Sequence, residues 1–359
     1  MRGRPLRVLL VKLSSLGDVV HTLPVVHDLH AGLPGVRVDW VVEKPFAPLL
    51  APCTGIERVI ACELRRWRQS PLAASTRREW RAFMAELKQQ PYDAVIDLQG
   101  LSKSALIARL ARLAPGGQRF AMAHPTDGSS YEAPTRWLAD VAIELPRRVH
   151  AVQRARLLCA QALGYVAAEE VSDVGLGGEP ASSSVPSVPS VPSVPTVLLV
   201  HGTSRRDKEW PFAHWVQLAA QLRSAGFGLA LAHGSAAELA TSEALAQAIR
   251  ASTPTLNLPV AVWPRLPLDQ LSHAMAACCG VVGVDSGLSH IAVALNLPHV
   301  QLYNFDTAWR TGPPAEGEPG ARPWQRSVFA QPTPSVEAVW QAWQACVQSC
   351  PSMSPRPLA

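Results

Sequence analysis

The chain has 359 residues, enough for two domains that each bury a core of their own. Apolar residues make up 48%, yet no uninterrupted apolar run of about 18 residues occurs, so no transmembrane helix is expected. The net charge of +5 is uneven: residues 1–170 carry 23 Lys/Arg against 16 Asp/Glu, and residues 171–359 carry 10 against 12, which makes the first half the one suited to an anionic partner.

Leu6–Val11 reads as a first strand; it is too short for a signal peptide and lacks a cleavage site. Lys12-Leu13-Ser14-Ser15-Leu16-Gly17-Asp18 follows as a turn into a helix over Asp18–Gly32. A helix start carries unpaired N–H groups and a partial positive charge, and so favours an anion. Gly17 is the turn's one glycine, so it is neither G-x-G-x-x-G nor a P-loop, and a dinucleotide oxidoreductase is disfavoured. On the residues alone Asp18 is a helix cap and His21 a packing residue.

Further strands are expected at Val36–Val42, Arg58–Ala61 and Asp93–Asp97, with helices at Thr76–Gln89, Leu101–Leu113 and Val149–Leu163. Arg65-Arg66-Trp67-Arg68 and Arg77-Arg78-Glu79-Trp80-Arg81 form a basic, aromatic stretch. It reads either as a solvated helix face or as a site for the carboxylates and phosphates of an acidic lipid or sugar. No RNA-binding signature accompanies it, and no nucleic-acid partner is expected. Asp97-Leu98-Gln99-Gly100-Leu101-Ser102-Lys103-Ser104 is another strand–turn–helix passage with small residues and a lysine.

Residues 182–195 are a Ser-Val-Pro repeat. Recurrent proline fixes φ and removes N–H donors, so the expected boundaries are a first domain over 1–180, a semi-extended linker over 181–196 and a second domain over 197–335. The second domain repeats the alternation. Strands fall at Val197–Val200, Phe227–Ala232, Gly280–Val284 and His299–Tyr303, and helices at Pro211–Ala225, Ala236–Ala251, Leu268–Ala277 and Leu288–Leu295. Residues 336–359 are expected to form a last helix, Val336–Val347, and a frayed tail. Alternating strands and helices predict an α/β fold with parallel sheets, whose ligands sit at the carboxyl ends of the strands.

Three turns of the second domain lie at such ends. His201-Gly202-Thr203-Ser204-Arg205-Arg206-Asp207-Lys208 combines hydroxyls with a mobile cation and suits phosphate. Glu238, after Ala232-His233-Gly234-Ser235, is either a ribose-binding acid or a charge favoured near a helix start. Asp285-Ser286-Gly287 offers close backbone approach at Gly287, with His290 one turn on. The seven cysteines are scattered with no C-x-x-C pair, so idle thiols are expected and no zinc site.

Taken together, Val11–Pro24, Asp39–Glu43, Arg65–Arg68, Tyr92–Leu101, Thr203–Trp210 and Val284–His290 run in the order found in the lipopolysaccharide heptosyltransferases of glycosyltransferase family 9, which the chain resembles from about residue 7 to about residue 303. The resemblance implies a GT-B fold of two Rossmann-like domains with parallel sheets facing a central cleft. It implies inverting transfer of heptose from ADP-heptose to the inner Kdo of Kdo2-lipid A, by a peripheral protein on the cytoplasmic face of the inner membrane. Asp18 then matches the general base and Lys208 the cation that steadies the leaving ADP. Thr203 and Ser204 match the hydroxyl pair at the phosphates, Glu238 the ribose acid and Leu266 an adenine contact. Asp285, Ser286, Gly287 and His290 match the turn on the heptose and pyrophosphate, and Ser14, Ser15, Arg65, Arg66 and Arg68 the acceptor side. No cofactor and no metal is implied, since inversion needs one base and the leaving diphosphate is stabilised by cation and helix N–H groups. Other acceptors within the family, and a non-catalytic nucleotide-sugar binder, are the alternatives; an acid at position 18 speaks against the binder. The chain departs from the family pattern at Tyr303-Asn304-Phe305-Asp306-Thr307, where a Gly-Pro-Thr type of turn is common.

Overall fold

A computed structural model describes residues 4–168, Leu176 and 194–351. The expected linker lies outside the described residues as far as Ser193, and so does the tail beyond Pro351. The chain divides into two compact units, Met1–Gly175 and Leu176–Ala359.

The first unit is built on β1 (Arg7–Val11), β2 (Arg37–Glu43), β3 (Ile56–Cys62), β4 (Tyr92–Asp97), β5 (Leu113–Met122) and β6 (Val141–Ile143), joined in the order β3-β2-β1-β4-β5-β6. Every pairing is parallel. Apolar runs such as Val8-Leu9-Leu10-Val11 are buried on both faces, as helix-covered parallel strands require. Leu9, Val11, Val41, Ile60, Phe83, Val95 and Ile107 meet in one core cluster.

The second unit repeats the plan with β7 (Thr196–Val200), β8 (Gly228–Leu231), β9 (Val260–Val262), β10 (Gly280–Val284), β11 (His299–Tyr303) and β12 (Gln325–Phe329), in the order β12-β11-β10-β7-β8-β9. The final helix, Val336–Ser349, belongs to this core through Val339, Trp343 and Cys346. It runs two residues past the expected Val347.

In each sheet the chain winds outward in both directions from the middle. The strand order reverses between β1 and β4 in the first unit and between β7 and β10 in the second. Loops leaving the carboxyl ends of such a pair diverge to opposite faces and leave a crevice there. The expected α/β class, two Rossmann-like units with parallel sheets, is the observed one. Four strands were not expected. β5 is interrupted by Pro115-Gly116-Gly117, and its register jumps from Tyr92↔Leu113 to Ala94↔Gln118. β6 and β9 have three residues each, and β12 is an edge strand of mixed polarity. The helix expected over Asp18–Gly32 is two, Leu16–Thr22 and Pro24–Gly32.

Buried charge towards the amino ends of the first sheet is closed on itself. Asp39 accepts from Arg7, Arg58 and the Tyr92 hydroxyl, the last at 2.8 Å. Nearby helices are pinned by Asp28, whose carboxylate takes two hydrogen bonds from Arg156, at 2.6 and 2.9 Å, with both side chains buried. No helix among the described residues is long and apolar enough to cross a membrane. Asp28→Ala would leave the Arg156 guanidinium buried and unpaired, and should lower the unfolding free energy by about 3–5 kcal/mol in urea titration; a loss under about 1 kcal/mol would show that Arg156 finds water or another partner.

Candidate active site

The carboxyl end of β1 leads into Lys12, Leu13 and the Ser14–Ser15 peptide, which is cis. The helix then starts at Leu16 with Ser15 as its N-cap, so Asp18 is the third helical residue. Its Oδ2 accepts from the Ser15 backbone N–H at 3.0 Å and from the Ser15 hydroxyl at 2.9 Å, the acid half of a capping box. Asp18 is therefore the capping-box partner of Ser15, a first-turn acid where the residues alone suggest a helix cap. Its second oxygen lies 3.6 Å from Lys12 Nζ, and 37% of its side chain is exposed, so the carboxylate is open to an incoming hydroxyl. Burial of the group pushes its pKa up, but the Lys12 ammonium and the two Ser15 hydrogen bonds outweigh that and hold it below the usual carboxylate range.

Lys12 itself is buried, donating to the Leu98 carbonyl at 2.9 Å. Desolvation lowers its pKa, against the pull of Asp18 and Asp97. Asp97 ends β4, the neighbour of β1, and caps its own turn by accepting from Gln99 and Gly100 N–H at 3.0 and 3.2 Å. Burial raises its carboxyl to about 6, against the Ser104 hydroxyl and the two turn N–H groups. Gln99 Oε1 accepts from Leu13 N and Ser14 N, both at 3.1 Å, and so locks the β1 turn to the β4 turn. Gly100 makes the bend at φ +76°, where a Cβ would stand 2.6 Å from the Met122 methyl. Lys103 Nζ reaches Ser14 Oγ at 3.4 Å. Lys12, Asp97 and Gln99 were given no role of their own, although the Asp97–Ser104 turn was expected to help shape the cleft; they are polar residues at or just past the ends of two central strands.

Arg65, Arg66 and Arg68 do not act as one cluster. They lie on the short helix Leu64–Gln69, where positions three apart share a face. Arg65 and Arg68 line a cavity of about 540 Å³ together with Arg77, Arg81, Lys103 and apolar walls that include Trp67 and Trp80. Arg66 is instead engaged by Glu63 and Glu79, and Glu79 also accepts from Trp67 Nε1. Its expected place beside the acceptor is not supported: its guanidinium serves as a staple between two helices.

In the second unit the groups expected at the phosphates come together. Lys208 Nζ is 2.6 Å from Asp285 Oδ2, His290 Nε2 is 3.4 Å from Asp285 Oδ1, and the Thr203 hydroxyl donates to the Asp285 carbonyl at 3.3 Å. Burial would raise the Asp285 carboxyl, but His290 and Lys208 hold it well below the usual range. Ser286 is the N-cap of the helix Gly287–Ala294, and its hydroxyl oxygen is buried without a hydrogen-bond partner among the described residues. Ser204 is exposed in the same loop as Thr203. Glu238 accepts from Gly234 N–H at 2.6 Å. It also packs on Gly202, where a Cβ would lie 3.0 Å from the Glu238 carboxyl carbon. Leu266, half-buried, follows β9. The departing turn after β11 supports this site from behind: Asn304 Nδ2 donates to the carbonyls of Asp207 and Glu209, at 2.9 and 3.0 Å, and thereby clamps the residues on either side of Lys208. His201 is buried and bonded to Ser242 Oγ at 2.7 Å, a core contact.

The chain as a whole is similar to known proteins. The glycosyltransferase family 9 (heptosyltransferase) profile matches residues 80–326. The chain belongs to glycosyltransferase family 9. Within the family it is 38% identical over 311 residues to lipopolysaccharide heptosyltransferase 1 of Pseudomonas aeruginosa, covering 86% of this chain and 81% of the relative. The E. coli heptosyltransferase WaaC solved with ADP is 31% identical and superposes with a TM-score of 0.76, covering 94% of this chain and 98% of that one. The same protein with ADP-2-deoxy-2-fluoro heptose gives a TM-score of 0.73 over the same shares. The chain is accordingly a glycosyltransferase of the GT-B class.

Asp285 offers a test that needs no substrate. A carboxyl held low by its partners contributes stability above its unfolded pKa, and that stability is lost as pH falls through the folded value. Lys208→Met removes one partner, raises the folded pKa and shrinks the contribution. At pH 7 the variant should be less stable by about 1–3 kcal/mol, and the gap should close as pH is taken below about 4. Urea midpoints measured against pH would reveal a pH-independent gap if Lys208 acted through packing alone.

Proposed function

We propose that this glycosyltransferase transfers L-glycero-D-manno-heptose from ADP-heptose to the inner Kdo of Kdo2-lipid A, with inversion, as a peripheral protein at the cytoplasmic face of the inner membrane. The observation that carries the donor half is the order of groups along the carboxyl edge of the second sheet. Strands β10, β7, β8 and β9 are successive neighbours, and their following loops bear Asp285–His290, Thr203–Lys208, Glu238 and Leu266. Read in that order they suit a sugar, a diphosphate, a ribose and a base. Three strand spacings of about 4.8 Å give about 14 Å, a span suited to a nucleotide sugar laid across the strand ends.

The acceptor half rests on Asp18. An exposed carboxylate kept ionised by a buried ammonium can take the proton from an attacking hydroxyl as the new glycosidic bond forms. One base suffices for a single displacement, in contrast to the paired carboxylates of glycoside hydrolysis. The charge that develops on the departing ADP falls to Lys208 and to the N–H groups of the helix starting at Gly287. With these in place the reaction is proposed to need no metal and no cofactor. The anionic acceptor suits Arg65 and Arg68, which line the cavity and make no ion pair among the described residues.

Transfer should be measured with ADP-heptose and Kdo2-lipid A, with and without a metal chelator. The product should form in both; no product in either would overturn the reading, and product only without the chelator would overturn its metal independence. Asp18→Ala should lower kcat on the order of 10²- to 10⁴-fold while ADP-heptose still binds; turnover at the wild-type rate would remove Asp18 from the chemistry. Lys12→Met should move the acidic limb of the kcat/KM profile to higher pH, because the ammonium is what holds Asp18 ionised. An unmoved limb would mean that Ser15 and Arg154 set it without Lys12.

A further inference from the structure

The cavity at the helix Leu64–Gln69 has features that the transfer reaction does not account for. Its basic side chains come from three elements: Arg65 and Arg68 from that helix, Arg77 and Arg81 from the helix Ala74–Leu87, and Lys103 from the helix Ser102–Leu110. Among the described residues none of the four guanidiniums makes an ion pair, while Arg66 next door takes both nearby acids, Glu63 and Glu79. The one carboxylate in the lining is Glu43. It is buried, and desolvation raises its pKa against the pull of Lys103 and Arg65.

Beside these charges the surface is apolar where it meets water. Leu72 follows the lining residue Pro71 and is 82% exposed, and the lining residue Leu106 is 51% exposed. They are two of the four exposed large apolar side chains described in this unit. Trp80, itself half-buried, packs edge-on against Trp67 in the wall. Unpaired arginines around projecting leucines, with a tryptophan at the boundary, are what an anionic lipid surface recognises: the cations meet headgroup phosphates, the leucines enter the acyl boundary and the indole sits at headgroup level.

We propose that this rim, centred on Leu72, Leu106, Arg77 and Arg81, is the face by which the protein docks on a bilayer containing anionic phospholipid. The proposal rests on the membrane placement proposed above and names the surface that achieves it. A protein partner would be served by a flat apolar patch with paired charge at its border. Here, apart from the buried Glu43, the charge is of one sign, and among the described residues the four arginines make no ion pair, which favours a surface of repeating phosphates.

The test is sedimentation with vesicles of phosphatidylcholine alone and of phosphatidylcholine with phosphatidylglycerol, with no sugar acceptor present. The wild type should bind the anionic vesicles, release as salt is raised, and stay free of the neutral ones. Arg77→Glu/Arg81→Glu should weaken binding by more than about tenfold. Leu72→Asp should weaken it several-fold yet transfer heptose at the wild-type rate to a water-soluble, deacylated Kdo acceptor. Equal binding to neutral vesicles, or undiminished binding by both variants, would overturn the proposal. So would binding that requires the Kdo-bearing lipid in the vesicle, which would put the contact on the acceptor sugar, or a dimer that Leu72→Asp dissolves, which would put a second copy on this face. If transfer fails while vesicle binding behaves as expected, it is the catalytic reading that falls.

Discussion

The ammonium of Lys12 is buried at the carboxyl end of β1, with one backbone carbonyl and the carboxylates of Asp18 and Asp97 as its favourable neighbours and the Arg154 guanidinium opposing it. A cation in that position is tolerable only when its partners stay where they are, since removing one leaves an uncompensated charge. The geometry around it is correspondingly over-determined. Gln99 ties both turns together, Asp97 caps its own turn, and Ser15 fixes the Asp18 carboxylate from the other side. The crevice where β1 and β4 diverge is thereby held as a charged site within an apolar fold. Asp18, the charged member of this set that reaches solvent, is presented at its lip.

The second unit uses the same crevice with the signs exchanged. There a buried carboxylate, Asp285, is shared by Lys208 and His290. In the first unit two acids share a buried cation, which suits a site that must keep a base ionised. In the second, cationic and N–H groups gather round a buried acid, which suits a ligand that brings negative charge. Both follow from one topology, because a parallel sheet whose strand order reverses opens a crevice at its carboxyl edge at that one place. The charges towards the opposite end of the first sheet, around Asp39, are closed among themselves and present little to solvent.

The sequence made the central strands and the long helices legible because apolar runs and helical spacing mark them directly. Thr203, Lys208 and Asp285 stand out in the sequence as small or charged residues just past such runs, whereas Asp18 reads there as a helix cap and Glu238 equally as a charge near a helix start, and only the family resemblance gives those two a role. What hid β5 was its Pro-Gly-Gly interruption, which reads as a turn and is accommodated as a bulge. What hid Lys12, Asp97 and Gln99 was distance along the chain. Lys12 lies 86 residues from Leu98, to which it donates, and only the β1–β4 pairing brings them together. The division among the arginines at 65–68 was likewise invisible. Spacing separates Arg66 from Arg65 and Arg68 on a helix, but the Glu79 that captures it comes from another helix.

Asn304 shows how a departure from a family's pattern can leave a site intact. Its side chain donates to the carbonyls of Asp207 and Glu209 and accepts from the Thr333 hydroxyl at 2.8 Å, so the one amide joins the Lys208 loop to the segment before the last helix. The Arg205 guanidinium stacks over the Phe305 ring at 5.9 Å and adds a second tether. A lysine on a four-carbon stem is a flexible charge, and its use at a diphosphate depends on limiting that freedom beforehand. Asp285 holds the ammonium from the front and Asn304 holds its backbone from behind. An ammonium already paired with a carboxylate gains less on meeting a diphosphate than a bare one would, but it is already in place, and that preorganisation is worth more where charge develops on the leaving oxygen than in the ground state.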